Sequence, residues 1–515
     1  MQTTTTAFTD RARGQVRPLS WFLTMAFDKQ FDDEVTFFTI GESLIGGVDV
    51  IRPTGTDVVQ QWDKYEYTDY SNRVIAIEWD YQEDSLSSVT MPMADIVLDN
   101  HDDFFTPGSG SSISDYVLPY RPLKIGAGFK GENVPVFVGI TEKMPEIDQV
   151  AKTVTFHAIG FLYSLYNRPL EEAVMYIDMR TDEVLEELFG MAGILASQLN
   201  LDPGFNTIPF AFFDKGTKLG EAVAKLMEAE MGRLYMDEYG TITFKNRQSL
   251  ATTSSYVFGV DEIISLSTPK QDDIINVVEI TSNVRAVQEN QLLWEMTGPL
   301  LVPAGGSAVM WADFQDPAVS VDEPANYLSS PSTSWFEVFD EENRQGSVIA
   351  SGVTCSDFDV FATSAKMTFS NSHAFPVWIT QLRLFGEPAK VITQIYVREQ
   401  DDVSVAKYDE RPISIENDFI STEGLATSKA LMMLDDYAEY GDIREIEVKG
   451  NPAIQLGDMV TVDTPEVSDD FIVTKKSESM ANGKYTQRFI VKKFVRRSYF
   501  TVGSSLIGGS DVIAP

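Results

Sequence analysis

The 515-residue sequence predicts a mainly β fold with α+β units, and three observations predict it. Up to about residue 165, apolar side chains recur at every second position in short runs separated by Gly, Asn, Asp and Pro, the spacing of half-buried strands joined by turns. Between 166 and 250 the apolar period lengthens to that of a helix, twice, with a strand–turn–strand unit after the second. Beyond 250 the alternation returns around one long helix near residue 430. Turn signals this closely spaced belong to barrels or sandwiches. A chain of this length also exceeds what one core supports.

Taken in order, residues 1–14 are Thr-rich and polar and read as a flexible arm. Residues 15–165 read as an N-terminal β-barrel. It begins with a strand from Pro18, an acidic turn at Asp32–Glu34 and a second strand, followed by alternation at Val74, Ile77 and Trp79. The stretch 91–140 supplies a strand through Ala94, Ile96 and Leu98, an acidic turn, a Gly/Ser loop, and a hairpin turning at Lys130–Asn133. Val154, Phe156 and Ala158 mark one more strand.

Residues 166–250 read as an α+β helix-hairpin domain. Thr181 or Asp182 caps a helix with Val184, Leu185, Leu188, Phe189 and Ala192 on one face, expected to reach Leu199. A second helix from Lys218 to Met231 buries Leu219, Val223, Leu226 and Met227, with Gly232 where a left-handed cap belongs. A hairpin over 233–244 follows. Residues 251–298 and 376–498 read as a second barrel carrying a helix over 423–440, capped by Ser421 or Thr422, with Leu425, Leu431, Met432, Leu434 and Tyr437 as its apolar contacts. Residues 299–375, broken by Pro and Ser clusters, read as a β-sandwich-like insertion.

One phrase occurs twice. Residues 38–53, FTIGESLIGGVDVIRP, and 500–515, FTVGSSLIGGSDVIAP, share Phe, Gly, the Gly-Gly pair and Asp at Phe38, Gly41, Gly46, Gly47 and Asp49, and again at Phe500, Gly503, Gly508, Gly509 and Asp511. Strand, paired glycines and strand make a β-hairpin signature, because glycines supply the positive φ of a tight turn. The copies lie too far apart for a solenoid. Docking by strand pairing is the expected role of these motifs, with 499–515 a separate C-terminal unit.

Composition narrows the function. Seventy-seven acidic against forty basic residues give a net charge of −37, so binding nucleic acid through a basic patch is not expected. Such acidity serves either solubility or a path along which phosphate must not stick. A single cysteine, Cys355, leaves no intramolecular disulfide and no Cys-based zinc site. The run from Trp21 to Phe27 is too short for a membrane span and lacks a cleavage site, so a soluble protein without a secretion signal is expected.

Chemistry is sparse. Of the histidines, His101, His157 and His373, none stands in a metal-ligand spacing, and there is no phosphate loop and no GxSxG elbow. The run Asp99, Asn100, His101, Asp102, Asp103 looks like a cation loop but lacks the central glycine and distal glutamate of an EF-hand. It reads as a structural acidic turn, with a calcium site at Asp99, Asp102 and Asp103 as the alternative. No catalytic residue and no cofactor are expected.

The block ADIVLDNHDDFFTP, then LPYRPLKIGAGF and VPVFVGITEKMP, resembles the tail-hub or minor tail proteins of long-tailed bacteriophages. The stretches GEAVAKLMEAEMGRLYMDEYGTITFKNR, TFSNSHAFPVWITQLRLFGEP and YGDIREIEVKGNPAIQLGDMVTV are similar to the family's central and C-terminal portions, in the same order. The resemblance implies tail-tube-like β-barrels, two per subunit, in a ring that is usually a trimer. In the virion, at the tail tip, such a ring matches a sixfold tube to a threefold tip. It passes DNA and the tape-measure protein, and carries fibres or receptor-binding proteins outside. The family offers no catalytic residues. Some relatives continue into a peptidoglycan-cleaving domain; this chain stops at its second motif, so wall digestion is not expected of it. The rival readings are a glycan-cleaving enzyme of the tail tip and a receptor- or glycan-binding module whose site in 299–375 uses Trp311, Phe314 and Trp335.

Overall fold

The computed structural model describes residues 1–14, 17–28, 65–83, 89–246, 254–268, 274–329, 333–438 and 443–493. The acidic turn at 32–34 and both copies of the repeated motif, with all ten of its named docking residues, lie outside them. Strand is the dominant state, as the alternation predicts. Helices are α1 (Thr6–Arg13), α2 (Phe161–Tyr166), α3 (Thr181–Met191), α4 (Leu219–Glu230), α5 (Asp402–Tyr408) and α6 (Glu423–Tyr437).

The first barrel is an antiparallel wall in the order Leu19–Met25, Pro122–Phe129, Glu132–Thr141, Thr153–Gly160, Val89–Asp99, Val74–Glu83. Its ends are stitched together. Thr68 and Asp69 pair with Met25 and Thr24, and Tyr70 N–H donates to the Leu23 carbonyl at 2.9 Å, so the chain entering the last strand holds the first. The outer edge of Val74–Glu83 is left to a strand from outside this barrel. Alternate residues fill the interior, among them Leu23, Ile77, Ile96, Ile125 and Phe156.

Residues 1–14 are not a free arm in this fold. Within their polar sequence Phe8 and Ala12 stand one helical turn apart, and α1 lays both on the barrel, Phe8 edge-on to Phe129 with centroids 5.0 Å apart. Thr5 caps the helix by accepting from Phe8 N–H, and Arg11 donates to the Lys130 carbonyl at 2.5 Å.

In the helix-hairpin unit the N-cap of α3 is Arg180, not Thr181 or Asp182, because Glu183 reaches back to accept from Arg180 N–H, and the helix stops at Met191 rather than Leu199. Gly193 at φ +83° turns the chain, Ile194 drops into the core, and the path resumes as the strand Leu199–Leu201. Helix α4 buries the four residues its period marked. The left-handed residue is Met231 at φ +59°, not Gly232. Gly232 is needed for closeness instead, since a Cβ there would lie 2.4 Å from the Phe244 ring.

The largest departure concerns the second barrel and the insertion. Tyr256–Gly259, Ile263–Ser267, Ile443–Lys449, Met459–Asp463, Ser468–Ala481 and Lys484–Lys493 surround one core of Phe258, Ile446, Val460, Phe471 and Phe489. Val277–Val287, the later part of Val377–Gln400, and Pro412–Glu416 instead form a sheet whose Val278, Ile280, Val397 and Ile415 join the core of α3, α4 and α6. The first part of Val377–Gln400 is a sandwich strand, pairing Gln291–Glu295, Leu300–Val302, Ala318–Val321 and Trp335–Phe339. The sandwich thus extends past 299–375 on both sides. One 24-residue strand serves two cores, and its alternation shifts at the hand-over: Leu382, Leu384, Gly386 and Pro388 are buried in the first part, Ala389, Ile395 and Val397 in the second, with Val391 to Gln394 exposed between them. In α6 Thr422 is the cap, as expected, whereas Leu431 is 47% exposed and Met433 packs in its place.

Candidate functional site: the seam between the barrels

The two barrels meet edge to edge. Val74–Glu83 pairs antiparallel with Ser468–Ala481, from Ala76 opposite Ala481 to Gln82 opposite Lys475. The same long strand serves Met459–Asp463 with its first residues and Lys484–Lys493 along its other edge. The walls are therefore one continuous sheet.

Under this sheet lies a buried polar network. The Lys476 ammonium, fully buried, stands 2.9 Å from Glu478 and 3.3 Å from Glu238, and donates to the Ile454 carbonyl at 3.1 Å. The Tyr485 hydroxyl and the Gln487 amide donate to Glu478, and Gln455 donates to Glu238. The Tyr81 ring faces Lys476 at 4.9 Å, and Trp79 stacks on Tyr485. Burial opposes the Lys476 charge, but Glu478 and Glu238 together hold its pKa above the ordinary 10.5. Burial, reinforced by neighbouring glutamates, pushes the Tyr81 and Tyr485 hydroxyls well above 10. Tyr81 belongs to the first barrel, Glu238 to the turn of the helix-hairpin unit, and Lys476 to the second barrel. Removing one member of such a set strands the others in a medium that cannot solvate them.

Sequence reasoning missed this network. Lys476 and Glu478 sit two apart in a strand, the pattern of a solvated face, and only the packing of three units turns that face inward. A partial signal existed in MDEYG: Asp237 accepts from Tyr239 and Thr241 N–H to form the turn, which leaves Glu238 to reach across.

The other side of the seam is a groove of about 570 Å³ lined by Glu78, Asp80, Asp95, His157 and Arg488. Burial, then the charge of Asp95, raises the Asp80 carboxyl above its usual value, against Lys475. His157 is held by acids on both nitrogens, Nδ1 at 2.5 Å from Asp95 and Nε2 at 3.3 Å from Glu146. The groove offers negative potential.

The acidic turn at 99–103 distributes its carboxylates to separate partners. Asp102 takes a bidentate pair from Arg73 at 2.8 and 2.9 Å, which holds its carboxyl well below the usual range. Asp103 meets Lys152 at 3.2 Å, and Asp99 meets His101 at 2.8 Å. Asn100 is the buried member, accepting from Phe105 N–H. Among the described residues no group of three His, Cys, Asp or Glu is arranged to hold a metal ion. Burial raises the Cys355 thiol to about 11, so it is protonated at neutral pH. The three aromatics considered as a glycan site are not brought together. Phe314 is core, Trp335 packs against Tyr327 in the layer of Val377–Gln400, and Trp311 stands on the opposite layer.

Three solved structures show what this chain is similar to. It aligns with the 43 kDa tail protein of prophage MuSo2 from Shewanella oneidensis at 11% identity, over 83% of this chain and 95% of that one, with a TM-score of 0.43. A tail protein from Neisseria meningitidis MC58 aligns at 9% identity over 84% and 94%, with a TM-score of 0.45. The first is a prophage tail protein and the second a tail protein. The E. coli c3393 protein also aligns, at 9% identity over 83% and 78% with a TM-score of 0.37; it is described as a type VI secretion component similar to T4 tail proteins gp27 and gp5. No family model and no curated protein matches the chain. No described helix is long and apolar enough to cross a membrane.

Proposed function

We propose that this chain is a structural tail-tip hub of a bacteriophage. Three copies form a ring that closes the tail tube, passes DNA without binding its sequence, and anchors distal or receptor-binding components of the virion. The observation that carries this reading is the seam: two barrels in one chain, joined edge to edge by 74–83 and 468–481 and pinned from beneath by Lys476. A closed ring of three such units presents six similar walls, which is what meeting a sixfold tube requires. A net charge of −37 keeps phosphate from adhering to the conduit. The motifs at 38–53 and 500–515 add strands to neighbouring tail proteins.

The test is the mass and shape of the purified chain. Light scattering at three times 57.4 kDa, with rings around a central channel in electron micrographs, supports the hub. A chain that stays monomeric and does not cap purified tail tubes overturns it.

A further inference from the structure

The outer layer of the sandwich holds a surface that the hub reading does not use. Ser307–Asp313, Ser364–Asn371 and Val353–Val360 form a three-stranded sheet with one face on the core. Register sets the other face in rows: Ser307, Ser370 and Thr354; then Val309, Thr368 and Asp357; then Trp311, Lys366 and Asp359. At the first row lies a pocket of about 440 Å³ lined by Gly305, Gly306, Ser307, Gly352, Thr354 and Ser370. At the last row Trp311 and Phe361, 52% and 48% exposed, lie with rings near parallel and centroids 5.9 Å apart. The two ends are four residues apart along the strand, about 13 Å.

We propose that this face binds a neutral oligosaccharide. Two independent features point there: a stacked aromatic pair left half in water, and an uncharged, hydroxyl-lined pocket on the same face. Sugars carry apolar C–H faces that cover an aromatic ring and hydroxyls that need donors and acceptors beside it, and rings with one wet side suit such a ligand. Lys366 is held at 3.0 Å by Asp359, and Ser370 donates to Ser356 at 2.7 Å, so polar groups at both ends of the face are fixed in place before a ligand arrives.

Charge decides against other occupants. Residues 291–388 carry twelve acidic side chains and three basic ones, Arg344, Lys366 and Arg383. All three are paired, with Glu337, Asp359 and Glu295. No free cation remains there for phosphate, sulfate or uronate, and the acidic excess repels them. An apolar helix is disfavoured because Lys366, Asp357 and Asp359 would be buried with it.

The full chain is titrated with hexasaccharides of glucose, N-acetylglucosamine and mannose, and with polygalacturonate, by calorimetry and tryptophan fluorescence. At least one neutral hexasaccharide is expected to bind. Trp311→Ala and, more gently, Phe361→Leu should weaken it, the first at least tenfold, while Trp335→Phe leaves it unchanged. Melting curves check that each variant is folded. Binding by none of the three neutral sugars, equal affinity in folded Trp311→Ala, or tighter binding of polygalacturonate overturns the proposal. Any of these results leaves the hub reading standing, since that rests on mass and ring formation.

Discussion

Two buried lysines pull stability in opposite directions. Burial lowers the Lys429 ammonium to about 8, against the charge of Glu228, so the folded chain holds a charge at neutral pH that its surroundings disfavour. The folded pKa is below the ordinary 10.5, so the folded state binds fewer protons than the unfolded one between about 8 and 10.5, and this group's contribution rises with pH there. Lys429→Met should raise stability at pH 7 by roughly 1–3 kcal/mol, reduced by the lost hydrogen bond to the Glu228 carbonyl. The gain should shrink toward pH 10.5 in denaturant melts. Lys476 behaves in reverse. Its raised pKa, with those of Tyr81 and Tyr485, gives stability that is whole below about 10 and lost above it, as the unfolded chain gives up those protons first. Lys476→Met should cost roughly 3–5 kcal/mol, read as a lowered denaturation midpoint, by stranding Glu238 and Glu478. A wild-type midpoint that climbs through pH 11 would contradict this assignment.

Among the elements, α4 is anchored by its last residue. Glu230 is fully buried and accepts from Thr181 Oγ1, Phe205 N–H and Asn206 N–H at 2.7–2.9 Å, tying the end of one helix to the start of α3 and the loop before Thr207–Phe213. Glu230→Gln replaces one acceptor oxygen by a donor facing donors and should destabilise by roughly 1–3 kcal/mol in urea melts. Thr422→Ala at the start of α6 should cost about 1 kcal/mol, the usual loss of a cap. Element type was readable because each unit keeps one period: α4's buried positions, the hairpin after it and most strands stand where alternation puts them. Ends were less readable. Helix α3 stops eight residues early because Ile194 finds a place in the core, which its own period does not announce.

For the whole molecule, the charge of −37 sets a salt response. Screening weakens repulsion between exposed carboxylates, so the melting temperature should rise as NaCl goes from about 10 mM to 0.5 M, where the Debye length falls below about 5 Å. Ser479→Pro tests the seam. Ser479 pairs with Glu78 on one side and Thr486 on the other, and proline removes a ladder donor at this junction. The variant should lose ring formation while far-ultraviolet circular dichroism keeps its β signal; rings formed as in the wild type would show that the seam is not what aligns the barrels.

By itself the sequence determined the mainly β class, the helix-hairpin unit, the acidity and the order of the motifs, because period and composition are local and survive in one dimension. It also placed the acidic turn at 99–103, though not the separate cations that its carboxylates meet. Tertiary structure alone decided that Lys476 faces inward, that α1 is docked, that the strand Val377–Gln400 divides between two cores, and that Trp311 meets Phe361 rather than Trp335. Each of these depends on which residues distant in the chain arrive opposite one another. A strand's alternation says only that it has two faces, and what packs against each decides which is solvent.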